Sequence, residues 1–345
     1  MRPPIRILQN LGLTCVAMLL CLVAGELIVR AFVPVRDVGP SFTLYDPIYG
    51  KVLKSSSTIT RITPEFTMRL TTNSHGFRGP ELERHYSSSI LFVGDSFTMG
   101  YGVIDGEEYP AIIRAAIANC GFTPGLEVIN AGIGNTGTGW ALKFLHKEAA
   151  TLKPLTVIVQ IHENDFEDNV REGLYKLSES GVLLQSTPPP PGMDRALQYL
   201  VESMPGLAYS RLVSLARQVR IPRLNRPNTK DISPHSGANG DGATYEERLT
   251  LRLLEEIMQI VKQRGWQLVV VLTDIPERHH SLLTDFLSEH RVVALSIPTK
   301  AQRPDLYYKV DGHWNAKGHA FAAERILQAL RLPSPWTESD CRRSS

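Results

Sequence analysis

The sequence predicts an α/β fold in which a parallel β-sheet lies between layers of helices. From about residue 89 onwards, short β-rich apolar runs alternate with segments of helical periodicity, the pattern of a parallel sheet with helical crossovers. The run Thr156–Ile161 is predominantly apolar, as expected of a strand that is covered on both faces. The 345 residues suffice for one large domain of this kind with insertions, or for two modest ones.

The N-terminal segment is apolar from Ile7 to Val29. A bilayer core needs about 20 mostly apolar helical residues, so this run is just long enough to span it. Its single charge, Glu26, would lie near one interface, where Arg30 is one helical turn away and can pair with it. A buried core helix would show a polar stripe, which this run lacks. Residues 1–33 are therefore predicted to be a signal-anchor or transmembrane segment.

Two features of this segment bear on its topology. Residues 23–25 are small and could precede a signal-peptidase cut, so a cleaved, secreted form is the alternative to the uncleaved anchor that the length of the run favours. The arginines are balanced on its two sides and do not orient it. A short N-terminus inside is the default, which predicts a single-pass inner-membrane protein with its folded domain in the periplasm.

The remaining chain divides into a lead-in, an α/β domain and a tail. Residues 34–88 contain five prolines with scattered Ser and Thr, and we expect a linker and an extended lead-in there. The α/β domain is expected over residues 89–332, with a C-terminal tail over residues 333–345. Its predicted strands are Ser89–Val93, Leu126–Asn130, Thr156–Ile161, Gln267–Leu272 and Arg291–Leu295, and its predicted helices are Tyr109–Ala118, Trp140–Ala150, Glu246–Arg264 and Asn315–Arg331.

Residues 172–245 interrupt this alternation. They include four consecutive prolines (Pro188–Pro191), a predicted helix from Met193 to Val219 and a polar stretch, Asn225–Gly242. Irregular insertions of this length are usually functional lids or disordered segments. We expect a cap over the functional site from the first half and mobility in the second.

The net charge and the cysteine and histidine residues indicate whether a nucleic-acid partner or a metal site is expected. The net charge is +2, without the basic excess that is typical of nucleic-acid binding. The cysteines Cys15, Cys21, Cys120 and Cys341 show no metal-ligand spacing, and a bridge between the last two remains open. The histidines have no carboxylate or cysteine arrangement of the kind that binds a metal. We therefore expect no metal site and no nucleic-acid partner.

A Gly-Asp-Ser motif, Gly94–Ser96, follows the first predicted strand of the domain. In open parallel sheets, ligands bind beyond the carboxyl ends of the strands. A serine there can be exposed, with backbone N–H groups nearby that hold an oxyanion. The tripeptide is also compatible with a simple turn in which Asp95 and Ser96 cap the next helix.

A second motif, Asp311–Asn315, precedes the last predicted helix. A serine hydroxyl becomes a good nucleophile when a base takes its proton, and His313 has a suitable side chain for this task. Asp311, two residues away, could fix the imidazole tautomer and stabilise the imidazolium. Alternatively, Asp311 is a helix N-cap and His313 a residue of the helix start.

Two further strand ends carry groups that can stabilise an oxyanion. Asn164 follows the third predicted strand, and its side-chain amide can donate a hydrogen bond. The segment Asn130–Asn135 follows the second strand, and its glycines let backbone N–H groups approach a substrate closely.

Taken in chain order, these four segments resemble the successive blocks of the SGNH/GDSL hydrolase superfamily. The order is Gly94–Ser96, Asn130–Asn135, the segment at Asn164, and Asp311–Asn315. The resemblance covers roughly residues 73–330. The lead-in Asn73–Gly79 is similar to the segment that precedes the nucleophile in membrane-anchored bacterial members. The resemblance implies a flavodoxin-like, three-layer α/β/α fold without metal or cofactor.

The resemblance also implies a role for each motif. Ser96 would be the nucleophile, and Asp311 and His313 would complete the catalytic triad. The oxyanion hole would consist of the backbone N–H of Ser96, a backbone N–H of Gly134 or Asn135, and the side-chain amide of Asn164.

Three positions depart from the usual pattern of the superfamily. His162 stands where the third block has glycine, and the second block aligns with either Gly134 or Asn135. The commonest last block places Asp three residues before His, where this chain has Val310. The Asp-x-His-Trp-Asn form is similar to that of some polysaccharide O-acetylation enzymes.

We therefore expect hydrolysis or transfer of an acyl ester through acyl-Ser96, on a cell-envelope glycan or another extracytoplasmic substrate. One alternative is an O-acyltransferase of an exopolysaccharide, and another is a catalytically silent glycan-binding or scaffold protein. A nucleotide binder is disfavoured because the sequence has no glycine-rich phosphate loop with a lysine.

Overall fold

The computed structural model describes residues 3–33, 35, 38–119, 125–188, 203–216 and 242–331. The strands are β1 (Thr43–Asp46), β2 (Gly50–Leu53), β3 (Thr58–Ile62), β4 (Thr67–Thr71), β5 (Ser88–Val93), β6 (Leu126–Asn130), β7 (Pro154–His162), β8 (Tyr175–Leu177), β9 (Leu183–Gln185), β10 (Gln267–Thr273) and β11 (Val293–Ile297). The α-helices with defined bounds are α1 (Pro3–Phe32), α2 (Ser96–Met99), α3 (Tyr109–Asn119), α4 (Thr138–Lys147), α5 (Asp165–Glu172), α6 (Pro205–Ala208), α7 (Tyr245–Arg264), α8 (Glu277–Glu289) and α9 (Ala316–Ala329).

Five parallel strands form the central sheet, in the order β11-β10-β7-β5-β6. Along the chain, β5 is the first strand of this sheet and β6, at one edge, is the second. The chain then crosses back past β5 and adds β7, β10 and β11 on its other side. The order of strands therefore reverses between β5 and β7. Open α/β sheets bind ligands beyond the carboxyl ends of the strands at such a reversal.

Helices cover both faces of this sheet. Successive strand residues point to opposite faces, and in β5 Ile90 and Phe92 pack with α3 and α9, whereas Leu91 and Val93 pack with α4 and α7. The buried residues form one hydrophobic cluster on each face of the sheet. The predicted three-layer α/β/α architecture is therefore confirmed.

The ends of the predicted elements differ by a few residues from the structure. The last strand begins at Val293 and not at Arg291, because Arg291, with φ of 56°, lies in the turn that ends α8. The predicted helix Trp140–Ala150 begins at Thr138 and ends at Lys147, after which residues 149–152 continue as a 3-10 helix.

The lead-in differs from the expected linker. Residues 38–88 contain two antiparallel hairpins, β1–β2 and β3–β4. Pro47 and Pro64 lie in the turns of these hairpins, where proline is tolerated. Met68 and Leu70 alternate with exposed residues in β4 and are fully buried against the core. The hairpins are thus packed parts of the folded unit.

Helix α1 is the one helix within the described residues that is long and apolar enough to cross a membrane. The span covers Gln9–Phe32, and 6% of its apolar 18-residue window is buried, which disfavours the alternative of a buried core helix. Arg30 pairs with Glu26 at 2.7 Å, as expected from their spacing.

Residues 203–216, one of the described parts of the insertion, lie beside the end of α1. Leu212 packs with Val29, and the N–H of Leu212 and the hydroxyl of Ser210 donate to the carboxylate of Glu26 at 2.9 and 2.7 Å. Residues 193–202 and 217–219 of the predicted helix 193–219, and residues 225–241 of the polar stretch 225–242, lie outside the described residues.

Candidate active site

Ser96 lies at the carboxyl end of β5, as the first residue of the short helix α2. Asp95 caps this helix by accepting a hydrogen bond from the N–H of Phe97 at 2.8 Å. Gly100, with φ of 84°, ends it in the left-handed conformation that favours glycine. Ser96 is 8% exposed, so its neighbours largely enclose it.

Gly94 permits the tight turn between β5 and α2. A Cβ atom at this position would lie 2.6 Å from Oε1 of Gln160, which is closer than real Cβ contacts. That same oxygen accepts hydrogen bonds from the N–H of Asp95 at 3.1 Å and from the hydroxyl of Thr98 at 3.0 Å. A side chain of β7 therefore holds the turn and the helix that carries Ser96.

Ser96, His313 and Asp311 form one chain of hydrogen bonds. Oγ of Ser96 lies 2.8 Å from Nε2 of His313, and Nδ1 of the same ring lies 2.5 Å from Oδ1 of Asp311. Ser96 and His313 are 217 positions apart in the sequence. The structure thus brings together a hydroxyl, an imidazole and a carboxylate in the order that acyl transfer requires.

The surroundings of His313 keep its ring and its carboxylate partner in place. The ring packs between Phe97 and Tyr101, with ring centroids 5.0 and 4.8 Å away. Burial opposes ionisation of Asp311, but the hydrogen bond and charge of His313 outweigh it and hold the pKa of this carboxyl below its usual value. Asp311 is therefore a carboxylate at neutral pH.

Neither Asp311 nor His313 caps the last helix. The cap of α9 is Asn315, whose side-chain oxygen accepts from the N–H groups of Lys317 and Gly318 at 2.9 and 3.2 Å. Gly312, with φ of 93°, provides the turn between Asp311 and His313. Asp311 and His313 are thus left free to bond with each other.

The glycine block lies directly against α2. A Cβ atom on Gly132 would lie 2.7 Å from the backbone carbon of Thr98, so only glycine fits. A Cβ atom on Gly134 would lie 3.6 Å from Cβ of Ser96, which places the Gly134 backbone beside Ser96. Asn135 is exposed, with φ of 56°.

The carbonyl of Asn135 has two cationic partners. It accepts a hydrogen bond from Nζ of Lys51 and another from the guanidinium of Arg171 at 3.2 Å. These contacts hold the outer end of the glycine block between β2 and α5.

Asn164 follows β7 and is held on both sides of its amide. Its oxygen is hydrogen-bonded to Nδ1 of His162, and its nitrogen donates to Oδ2 of Asp168 at 3.0 Å. The ring of His162 lies 4.8 Å from that of Phe97, the residue after Ser96. His162 therefore lies between Asn164 and the residue that follows Ser96.

Four acidic residues, Asp95, Asp165, Asp168 and Glu172, are buried beside the site. Burial raises the pKa of each, and for Asp165 the charges of Asp95 and Asp168 add to the effect. Burial raises the pKa of Glu172 to about 7, although the charge of Lys51 opposes it. The cluster therefore carries less negative charge at neutral pH than four ionised carboxylates would.

Arg78 is a site-supporting residue that the sequence analysis missed. Its buried guanidinium donates to the carbonyls of Met99, Gly100 and Val103 at 2.9, 2.6 and 2.9 Å and pairs with Asp105 at 3.3 Å. It thereby ties the lead-in to the end of the helix that carries Ser96. A single buried arginine outside the regular helices and strands leaves no periodic signal in a sequence.

Within the described ranges, no group of three or more His, Cys, Asp or Glu side chains is arranged to hold a metal ion. Cys15 and Cys21 are free and exposed. Cys120 and Cys341, considered as a disulfide pair, lie outside the described residues.

No family model and no curated protein matches this sequence. Solved structures similar to the chain include TesA, at 13% identity and a TM-score of 0.40 over 70% of this chain and 98% of that one. Others are a GDSL-like lipase from Bacteroides thetaiotaomicron VPI-5482 (12% identity, TM-score 0.37, 70% and 87% covered) and the acetyl xylan esterase AlAXEase (12%, 0.42, 70% and 99%). GDSL proteins, whose motifs the sequence resembles, are thus among these structures.

Proposed function

We propose that the chain is a serine-dependent ester hydrolase of the SGNH/GDSL type, with Ser96 as nucleophile, His313 as base and Asp311 as its carboxylate partner. One observation carries this proposal: the unbroken hydrogen-bond chain from Oγ of Ser96 to the Asp311 carboxylate, beyond the carboxyl ends of a parallel sheet. A serine bonded to an imidazole, whose other nitrogen faces a carboxylate, is suited to nucleophilic catalysis.

In the first half-reaction, Oγ of Ser96 bonds to the ester carbonyl carbon while its proton passes to Nε2 of His313. Asp311 remains ionised and stabilises the imidazolium. The carbon–oxygen bond to the alcohol then breaks, and the alcohol leaves with the proton from His313. In the second half-reaction, a water molecule loses its proton to His313 and attacks the acyl-Ser96 carbonyl. The acyl–oxygen bond breaks, the acid leaves, and Ser96 regains its proton.

We assign the oxyanion to the backbone N–H groups of Ser96 and Gly134 and to the side-chain amide of Asn164. Gly134 is preferred to Asn135 because its backbone lies beside Ser96. The Asn164 amide has two hydrogens, and one of them is used by Asp168, so the other remains for the substrate. Each such donor is worth about 10²–10³-fold in turnover.

The proposed substrate is an acyl ester on a cell-envelope glycan or another extracytoplasmic molecule. Helix α1, which is long, apolar and almost unburied, supports a membrane anchor, and the default orientation with a short N-terminus inside would put the catalytic domain in the periplasm. The Asp-x-His-Trp-Asn form of the last motif favours a glycan. Retention in membranes after an alkaline wash, with an intact N-terminus by sequencing, is the expected result. A soluble chain that begins near Glu26 would instead establish cleavage.

Transfer of the acyl group to a sugar hydroxyl uses the same residues, and the form of the last motif favours this second candidate as well. The acceptor distinguishes the two reactions. A labelled acyl group that appears on an added glycan indicates a transferase, whereas free acid alone indicates a hydrolase.

The proposal is tested with Ser96→Ala and a fluorophosphonate probe. We expect the wild-type chain to hydrolyse p-nitrophenyl acetate and to carry the probe on Ser96 in peptide mapping. The Ser96→Ala chain should keep its fold by circular dichroism and lose both properties. Full hydrolysis by this variant would refute the assignment, and absent labelling of the wild-type chain together with glycan binding would favour a silent binding protein.

A further inference from the structure

Glu65 of the lead-in is hydrogen-bonded to the loop that carries Asp311. It lies in the turn between β3 and β4, and its carboxylate accepts the N–H of Val310 at 3.0 and 2.9 Å, one distance for each oxygen. Oε2 also accepts the N–H of Asp311 at 2.7 Å. A hairpin residue thus holds two consecutive amides of a loop that is 245 positions away in the sequence.

The turn that presents Glu65 is itself well defined. The hydroxyl of Thr63 accepts the N–H groups of Glu65 and Phe66 at 3.2 and 3.0 Å, and the N–H of Thr63 donates to the carbonyl of Phe66 at 2.9 Å. Such a side-chain-bonded turn restricts the backbone that carries the carboxylate. Glu65 therefore meets the loop from a prearranged position.

Aromatic contacts place the same hairpin against both sides of the candidate site. The ring of Phe66 lies 4.6 Å from Tyr308 and 5.4 Å from Tyr101, and Tyr101 lies 4.8 Å from the ring of His313. The hydroxyl of Tyr308 donates to the carbonyl of Gly102 at 2.8 Å, close after α2. The hairpin is packed where the helix that carries Ser96 and the loop that carries His313 meet.

The residues that Glu65 binds lie at the tip of the loop, beyond the hydrogen bond of 2.8 Å from the N–H of Tyr308 to the carbonyl of His313. Val310 is 73% exposed, and Gly312 adopts a φ of 93° that few other residues tolerate. In this structure the chain turns at Gly312, and the side chains of Asp311 and His313 meet across that turn. A carboxylate that binds two successive N–H groups fixes such a turn.

We propose that Glu65 is a positioning residue, which holds Asp311 against His313 by binding the N–H groups of Val310 and Asp311. The inference rests on the proposed function, since it concerns the geometry of the same triad. It extends the catalytic unit to the β3–β4 hairpin. The lead-in before the Gly-Asp-Ser motif then completes the active site as well as connecting the helix α1 to the domain.

The test compares Glu65→Ala and Glu65→Gln in the full chain in detergent, with Glu81→Ala as matched control. Glu81 is also a carboxylate of the lead-in that binds a turn, and it accepts the N–H and the hydroxyl of Ser74 at 2.8 and 2.6 Å. The measured quantities are kcat and KM for p-nitrophenyl acetate, and the rate of fluorophosphonate labelling of Ser96.

We expect Glu65→Ala to lower kcat and the labelling rate by about 10- to 100-fold with KM within about twofold, because small misplacements of catalytic groups cost factors of this size. Glu65→Gln should recover most of kcat, because a single oxygen, Oε2, already accepts both N–H groups. Glu81→Ala should leave kcat within about twofold of wild type. The side chain of Glu65→Asn is one methylene too short to reach the N–H groups of Val310 and Asp311, so its kcat should fall as far as that of Glu65→Ala. Glu65→Asn replaces Glu65→Ala in the test if the alanine variant does not fold.

Two results would overturn different statements. If folded Glu65→Ala or Glu65→Asn retains the kcat of Glu81→Ala while Ser96→Ala is inactive, the positioning role is wrong and the proposed function stands. If Ser96→Ala hydrolyses the ester as fast as the wild-type chain, the proposed function itself fails. If KM rises in Glu65→Ala while kcat stays at the wild-type value, Glu65 acts in substrate binding, and the inference is overturned as well.

Discussion

The carboxylate of Asp311 lies 2.5 Å from Nδ1 of His313, on the other side of the ring from Ser96. This relationship predicts the effect of Asp311→Asn. An asparagine amide can donate to Nδ1, and the ring then carries its proton on Nε2, where it cannot accept the serine proton. We expect kcat for p-nitrophenyl acetate to fall by about 10³–10⁴-fold while circular dichroism is unchanged.

Asp305→Asn is the control for this prediction. Asp305 lies in the neighbouring segment of the chain and pairs with exposed Arg303 at 2.8 Å, an interaction worth little at a surface. The kcat of the Asp305→Asn variant should stay within about twofold of the wild-type value. An Asp311→Asn chain that retains more than about a tenth of wild-type kcat would show that His313 works without this carboxylate.

The raised pKa of buried Glu172 predicts a pH dependence of stability. In the folded chain the pKa is about 7, whereas the ordinary value is 4.5, so the folded state binds more protons between these values. Stability from this group is therefore fully present below about pH 4.5 and is lost as the pH rises through about 7. At about 1.4 kcal/mol per pKa unit the loss is up to about 3 kcal/mol.

Glu172→Gln should remove this part of the pH dependence. We expect the decline in Tm between pH 5 and pH 8 to be smaller in this variant than in wild type. Glu167→Gln is the matched control, because Glu167 lies on the same helix and is exposed, and its decline should equal that of wild type. A decline in Glu172→Gln as large as in wild type would contradict the prediction.

Arg78 predicts a large effect on stability from one residue of the lead-in. Arg78→Ala leaves the carboxylates of Asp105 and Glu108 without this cation, which lies 3.3 and 3.7 Å from them. Removing one partner of a buried ion pair costs about 3–5 kcal/mol. We expect a clear fall in Tm, together with slower fluorophosphonate labelling of Ser96, because Arg78 also binds the end of α2.

Arg69→Ala provides the comparison for Arg78. The Arg69 side chain is 64% exposed and lies 3.8 Å from Asp105, so its ion pair is worth about 0–1 kcal/mol. The Tm of this variant should be close to that of wild type. Equal Tm values for the two arginine variants would mean that burial of Arg78 contributes nothing.

The lead-in shows why local composition misled the sequence analysis. Five prolines in residues 34–88 predicted an extended linker, but Pro47 and Pro64 lie in hairpin turns. The alternation of Met68 and Leu70 with polar neighbours was a strand signal of period two. A five-residue strand carries too few residues for such a pattern to stand out against the prolines.

Asn164 and His162 show a different limit. The sequence indicated that the side-chain amide of Asn164 could donate to an oxyanion, and for His162 it favoured a plain strand-end residue over one that lines the site. The hydrogen bond between the two side chains, and the contact of His162 with Phe97, depend on side-chain rotation at the end of β7. Rotamers are set by neighbours from other elements, which a linear pattern does not contain.

The sequence by itself determined the alternation of strands and helices, the apolar run of transmembrane length, and the chemistry present at each strand end, since each of these is a property of neighbouring residues. Only the tertiary structure decided that Ser96 is hydrogen-bonded to His313, and that Glu65 is hydrogen-bonded to the loop that carries Asp311. Those contacts join segments more than two hundred positions apart. Their geometry depends on the order of strands and on the packing of the hairpins, which arise from burial summed over the whole chain.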